Sequence, residues 1–246
     1  MNPAHDHPPL ILAERDQPFW GFAEILLVAA LFLPAVWVGS LAVQKTFGFS
    51  GTTDMPGSAL VTAEFIGYAL ILLVLKILFA RHGRPLFESL GWVDFRFRPL
   101  TLVAIGFSLA LLVVLLGNLL QIPNTETPFD KLLDDPVSRI VIAAFGITLG
   151  PVIEELLFRG FLQPVLTNSF GVFPGILATS VLFGGMHLIQ NANIWQSGLL
   201  IALVGFVLGV IRHVSGSTRA STITHISYNS LPFLAVMLAG NPSHPH

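Results

Sequence analysis

The sequence predicts an all-α protein, a polytopic transmembrane bundle of about seven to eight helices. Three observations carry that expectation. The 246 residues are 53% hydrophobic and only 11% charged, where soluble domains carry about 25% charged residues. The mean hydropathy is +0.76. Seven stretches approach the ~20 apolar residues that a spanning helix requires, and polar breaks separate them. These are Phe22–Val43, Leu60–Ala80, Leu100–Leu120, Ile140–Leu157, Phe173–Leu188, Ile194–Val214 and Thr222–Leu238.

Taken in order, the first three and the sixth read as ordinary membrane helices. The third and sixth are the cleanest. The fourth, fifth and seventh carry polar clusters, so hydropathy describes them least well. Residues 1–21 form a polar N-terminal tail without the basic start and short apolar core of a secretory signal. The first span is therefore expected to be a retained anchor. Residues 22–239 are expected to form one bundle, with 22–120 as accessory helices, and 240–246 to be a C-terminal tail. Lys and Arg placement orients the bundle. With the loop holding Arg81, Arg84, Arg96 and Arg98 on the cytoplasmic side, Arg15, Lys76, Arg159, Arg212 and Arg219 also fall inside. Only Lys45, Lys131 and Arg139 fall outside. The N-terminus is then cytoplasmic and the C-terminus outside, in a multi-pass cell-membrane protein of the bacterial inner-membrane kind. Trp20, Trp92 and Trp195 stand near span ends, where interfacial aromatics belong.

Composition also narrows the chemistry. A net charge of -2 argues against a nucleic-acid partner; membrane lipids are the implied surroundings. With no cysteine, disulfides, thiolate catalysis and thiolate-bound metal are all excluded.

Ionisable groups at membrane depth are costly and mark candidate functional sites. Three clusters qualify. In the first, Glu154-Glu155 precedes Arg159. Glu155 and Arg159 are four apart on a helical face, a spacing that favours an ion pair. Glu154 lies about 100° around from Glu155 and must face something else. In the second, Phe183 precedes Gly184, Gly185 and His187; the glycines allow another backbone to approach, and the imidazole can act as base, donor or metal ligand. In the third, His225 and Asn229 share a face one turn apart, and both can donate hydrogen bonds. Each cluster alone also fits a bland role: interfacial carboxylates with a snorkelling Arg, an inert helix-end His, and interhelical polar glue. Together, in successive segments able to pack side by side, they point to one polar centre. Glu64 and Lys76, nearer the ends of the second span, are expected to snorkel to the interface. His82 and His213 flank span ends; His5, His7, His244 and His246 lie in the tails.

Glu154-Glu155 with Arg159, then Phe183 with His187, then His225 with Asn229 resembles the signature of the CPBP family of intramembrane proteases. That family includes CAAX prenyl endopeptidases of the Ras-converting type, abortive-infection proteins and bacteriocin-immunity proteins. The resemblance covers roughly residues 140–238. It implies an endopeptidase acting on membrane-associated peptides or proteins, prenylated CAAX-type substrates among them. Glu154 and His187 would activate a water, His225 and Asn229 would stabilise the oxyanion, and Glu155, Arg159 and Phe183 would support them, with no cofactor. An alternative within the family is a zinc enzyme with Glu154, His187 and His225 as ligands. A non-catalytic scaffold or immunity factor, and a proton-coupled transporter, stay open beside it. The absence of an inverted repeat disfavours the transporter. The site requires the fourth helix to run on to about Leu166, bent near Pro151 or Pro164, so that Glu154 lies deeper in the membrane.

Overall fold

A computed structural model describes residues 18–122, 128–188 and 194–239. The two tail ends, with Arg15 and the four tail histidines, lie outside the described residues. Among the described residues every regular element is helical, and five helices are long and apolar enough to cross a membrane.

Helix α1 (Phe22–Phe47) starts where the Glu24 carboxylate accepts the Gly21 N–H at 2.7 Å, and ends on Gly48 with φ 77°. Helix α2 (Gly57–Arg81) returns antiparallel against it. Their contact is close because Gly39 faces the Ala63 carbonyl, and a Cβ on Gly67 would stand 2.8 Å from Val36 Cα. Small residues of this kind let membrane helices pack backbone to backbone. Trp20 stands at the start of α1 but is buried. It stacks on Phe161 at 5.7 Å and donates its indole N–H to the Phe161 carbonyl at 2.9 Å.

A short helix α3 (Leu86–Ser89) and the turn at Gly91 lead to α4 (Pro99–Leu119). That connection is latched to the start of the last helix. The Thr218 N–H donates to the Gly91 carbonyl at 2.8 Å, and the Ser217 and Thr218 hydroxyls donate to the Val93 and Leu90 carbonyls. Arg219 pairs with Asp94. Phe97, Arg96 and Arg98 are exposed on the same connection. A single turn, α5 (Pro128–Leu132), precedes the next long element.

The fourth membrane element departs most from its expected span of Ile140–Leu157. It runs over Pro136–Phe170, 35 residues, in four pieces: α6 (Pro136–Ile147), α7 (Leu149–Glu155), a π-helical stretch (Leu156–Leu162) and α8 (Gln163–Phe170). Asp135 caps α6 by accepting the Ser138 N–H at 2.8 Å. The prolines explain where regularity fails. Pro151 has no N–H to offer Ile147, and the helix breaks at Thr148; Pro164 has none for Gly160, and the wide π turns precede it. Hydropathy has no term for either effect, so the sequence places the element but not its ends.

Helix α9 (Val172–Met186) has only 15 residues. At 1.5 Å per residue it spans ~22 Å, short of the ~30 Å hydrocarbon core. A helix of that length is too short to cross the hydrocarbon core by itself. Helices α10 (Trp195–Ser215) and α11 (Thr218–Ala239) complete the bundle. Helix α11 packs on α4, α6, α7 and α10, which accounts for its polar content: its Thr and Ser hydroxyls donate to carbonyls one turn back, as Thr222 does to Thr218 at 2.8 Å.

Candidate functional site

The site is built on the second half of the broken element. Glu154 and Glu155 end α7, immediately before the π-helical stretch that holds Arg159. Single-turn π segments are rare and occur often at functional sites. Arg159 and Glu155 are fully buried, with Nη1 of the guanidinium 2.9 Å from the Glu155 Oε1. The Arg159 Nη2 also donates to the Gly205 carbonyl of α10 at 2.9 Å, and its guanidinium lies 4.4 Å above the Phe183 ring of α9. Four residues on, Gln163 Nε2 donates to the Gly209 carbonyl at 3.0 Å. These two side chains fix the π-helical stretch against α10. The buried pair is held by its mutual charge and by the Gly205 carbonyl, while Arg159 Nε and Glu155 Oε2 are buried without a hydrogen-bond partner.

Glu154 points elsewhere, as its position around the helix requires. Two imidazoles face it from other helices. His187, just past the end of α9, has Nε2 4.0 Å from Glu154 Oε1; His225 of α11 has Nε2 3.8 Å from Glu154 Oε2. Tautomers follow from the opposite ring nitrogens. His187 Nδ1 is 2.9 Å from the Phe183 carbonyl, which can only accept, so Nδ1 carries the hydrogen. His225 Nδ1 is 3.1 Å from the Glu155 carboxylate, already paired with Arg159, and again donates. In the neutral rings both Nε2 atoms are therefore lone-pair nitrogens. Three acceptors converge at separations beyond a direct hydrogen bond. Such an arrangement suits a proton-rich occupant, a water or a cation, between them.

Glu154 and His187 each keep 17% side-chain exposure, against 4% for His225, so two of the three are open to a solvent-sized probe. Phe183 fills the space behind both imidazoles, with ring centroids at 4.8 Å from His187 and 5.8 Å from His225. Seven residues separate His225 from Thr218, which is latched to the positively charged connection. The site thus lies ~10 Å along α11 from that end. Irregular backbone at such depth persists only where protein or a water-filled cavity receives it. Here the Thr148 break and the end of α9 both fall at the site.

Asn229 occupies a different position from its expected partners. Its Nδ2 donates to the Gly146 carbonyl at 2.7 Å, one of the groups released by the break at Thr148. Thr148 itself satisfies the preceding turn through N–H and hydroxyl contacts to Ala144. Asn229 therefore ties α11 to the broken element with one amide hydrogen and retains a second. Of the two glycines before His187, only Gly184 permits close approach. A Cβ there would stand 2.8 Å from Ala202 of α10, whereas Gly185 faces open space.

Two residues escape the sequence reading. Glu64 of α2 is half-buried rather than set free at an interface. Tyr68, one turn on, is buried and stacks on Phe145 of α6 with ring centroids 6.5 Å apart. Lys76, by contrast, is exposed as expected. The signal for Glu64 was its depth, eight residues into a 25-residue helix.

Residues 136–231 match the family model described as type II CAAX prenyl endopeptidase Rce1-like. No curated protein and no solved structure matches the chain. The matched stretch runs from the first turn of α6 into α11 and holds all seven of the clustered residues. Over that stretch the chain is similar to the Rce1-like CAAX-type family, a likeness consistent with the CPBP family.

Proposed function

We propose that the chain is an intramembrane endopeptidase that hydrolyses a peptide bond in membrane-associated peptides or proteins, with Glu154 as the base. The observation that carries this reading is the convergence of Glu154, His187 and His225, from three separate elements, on one partly exposed point. The likeness to the Rce1-like family model supports the reaction class.

The chemistry follows from the donors and acceptors. A water between Glu154 and His187 Nε2 gives a proton to the Glu154 carboxylate as its oxygen attacks the scissile carbonyl carbon. General bases of this kind contribute ~10²–10⁴-fold. The carbonyl π electrons move onto oxygen, producing a tetrahedral oxyanion. His225 donates to that oxyanion as an imidazolium, with its Nδ1–H held by the Glu155 carboxylate. The second amide hydrogen of Asn229 provides another donor. Preorganised donors aimed at a developing charge are a major source of rate. Collapse of the intermediate breaks the C–N bond, and the proton held by Glu154 passes to the leaving amine, with His187 beside it.

One observation favours a zinc variant. Both imidazoles turn Nε2 inward while Nδ1–H is held by a carbonyl or carboxylate, the usual outer support of a ligating His. Glu154, His187 and His225 would hold the ion, and zinc would supply Lewis acidity and a water of lowered pKa. The cofactor-free reading is preferred.

The test is hydrolysis by purified protein reconstituted in liposomes, against a panel of membrane-anchored peptides with and without a prenyl group. Wild type is expected to release a defined product, and His187→Ala and His225→Ala each to lose at least about a hundredfold in rate. Activity that survives exhaustive chelation, with no stoichiometric metal, supports the glutamate mechanism; loss on chelation and rescue by zinc supports the other. Wild type and both variants equally inert across the panel would favour a non-catalytic scaffold.

A further inference from the structure

The basic connection between α2 and α4 carries chemistry that the hydrolytic site does not use. Arg84, Arg96 and Arg98 are exposed on it, with Arg81 exposed at the end of α2. Phe87, Val93 and Phe97 stand exposed among them. Of its two acids, Asp94 is paired with Arg219, and Glu88 lies on the short helix α3. The latch to Ser217, Thr218 and Arg219 fixes this connection across the start of α11. Phe95 packs inward on Leu102, Ile211 and Ala220, so Arg96 and Arg98 flank an outward-facing Phe97. Basic and aromatic residues interleaved at the ends of membrane helices form an interfacial surface.

A groove opens beside this surface, between α4 and α10. Its volume is about 380 Å³, and Thr101, Ala104, Ile105, Ser108 and Leu112 of α4 line it with Val207 of α10. Their spacing puts the five α4 residues on one helical face. Another face of α4 carries Gly106, where a Cβ would stand 2.4 Å from the Thr224 carbonyl oxygen of α11. Helix α4 thus leans on α11 more than on α10, and the gap toward α10 is left open. Thr101, Ala104, Ser108 and Leu112 are exposed, so the groove faces the lipid. From Thr101 to Leu112 it runs ~16 Å along the helix, about one leaflet of a ~30 Å hydrocarbon core. Ile105 and Val207 also pack on the cluster that receives Phe95. The groove and the basic connection therefore share a wall. We propose that together they bind one anionic phospholipid, with Arg96 and Arg98 on the phosphate headgroup and an acyl chain in the α4–α10 groove. Charge complementarity names the occupant: basic residues beside a membrane draw anionic headgroups, whereas a zwitterionic headgroup brings its own cation to the same arginines. The inference is independent of the protease reading.

The test equilibrates the purified full-length protein with equal amounts of phosphatidylglycerol and phosphatidylcholine in detergent and counts retained lipids by native mass spectrometry. Wild type is expected to hold one phosphatidylglycerol in about tenfold or greater preference, the order expected for two basic residues at an anionic surface. Arg96→Gln/Arg98→Gln should lose the preference. Lys45→Gln, in the last turn of α1 on the opposite side of the bundle, should keep it. Ser108→Phe fills the groove and should lose the lipid; Ser108→Leu fills it more mildly and serves if the larger side chain prevents folding. Equal retention of the two lipids by wild type overturns the proposal. A preference that survives in Arg96→Gln/Arg98→Gln overturns the headgroup site. A folded Ser108 variant that retains phosphatidylglycerol as wild type does overturns the groove.

Discussion

Arg159 shows how one side chain organises a centre it need not touch chemically. It neutralises Glu155, donates to the Gly205 carbonyl and covers the Phe183 ring, so α7, α9 and α10 meet at one guanidinium. Removing it leaves Glu155 buried and uncompensated, a change that costs ~3–5 kcal/mol in comparable sites. Arg159→Met is therefore expected to lower the melting temperature in detergent sharply. Arg159→Lys should rescue it only in part, because an ammonium lacks the planar fork that serves Glu155 and Gly205 together. A melting temperature within error of wild type for Arg159→Met would contradict this role. The Glu155–Arg159 contact was legible in the sequence because it is local, four residues along one helix. The Glu155–His225 contact, 70 residues apart, was not, and neither was the diversion of Asn229 to Gly146. Both depend on which helices become neighbours, and spacing within a helix does not encode that.

At the scale of elements, the irregular pieces are the informative ones. The π-helical stretch and the Thr148 break surround the two glutamates, and α9 ends at Met186, so that His187 lies just past its last turn. The close approach of α9 to α10 is set by Gly184, whereas Gly185 faces open space. Gly184→Ala should therefore push the helices apart, displace His187 and reduce activity at least about tenfold, although its methyl touches no reacting atom. Gly185→Ala should be silent. Equal behaviour of the two variants, in activity and in melting temperature, would refute the packing account. The sequence placed both glycines in one role because it cannot say which of two adjacent positions faces a neighbour. Likewise, the prolines at 151 and 164 marked a bend in the fourth element, but not that the bend would take the form of a break followed by π turns.

The whole molecule is a multi-pass bundle in which long apolar helices surround a polar, irregular interior. That plan follows from composition and hydropathy, since the bilayer forces backbone groups to bond internally. What hydropathy leaves out is neighbourhood: Glu64 reads as a stray charge in the second span until α2 is laid against α6. The orientation proposed from nine inner and three outer basic residues is open to test on the cysteine-free chain. Thr53→Cys, in the connection between α1 and α2, should react with a membrane-impermeant maleimide on intact cells. Glu88→Cys, in the basic connection, should react only after permeabilisation. The reverse pattern would invert the topology and place the entrance to the site on the other side of the membrane.

The proposed chemistry depends on a single carboxylate, Glu154, meeting two imidazoles inside the bundle. The most direct measurement is the hydrolysis rate of purified Glu154→Gln beside wild type on a peptide that wild type cleaves. The substitution keeps size and shape but removes the base. A loss of about a thousandfold, within the range for removing a general base, with an unchanged melting temperature is the predicted result. Cleavage by Glu154→Gln at the wild-type rate would mean that the water is activated elsewhere.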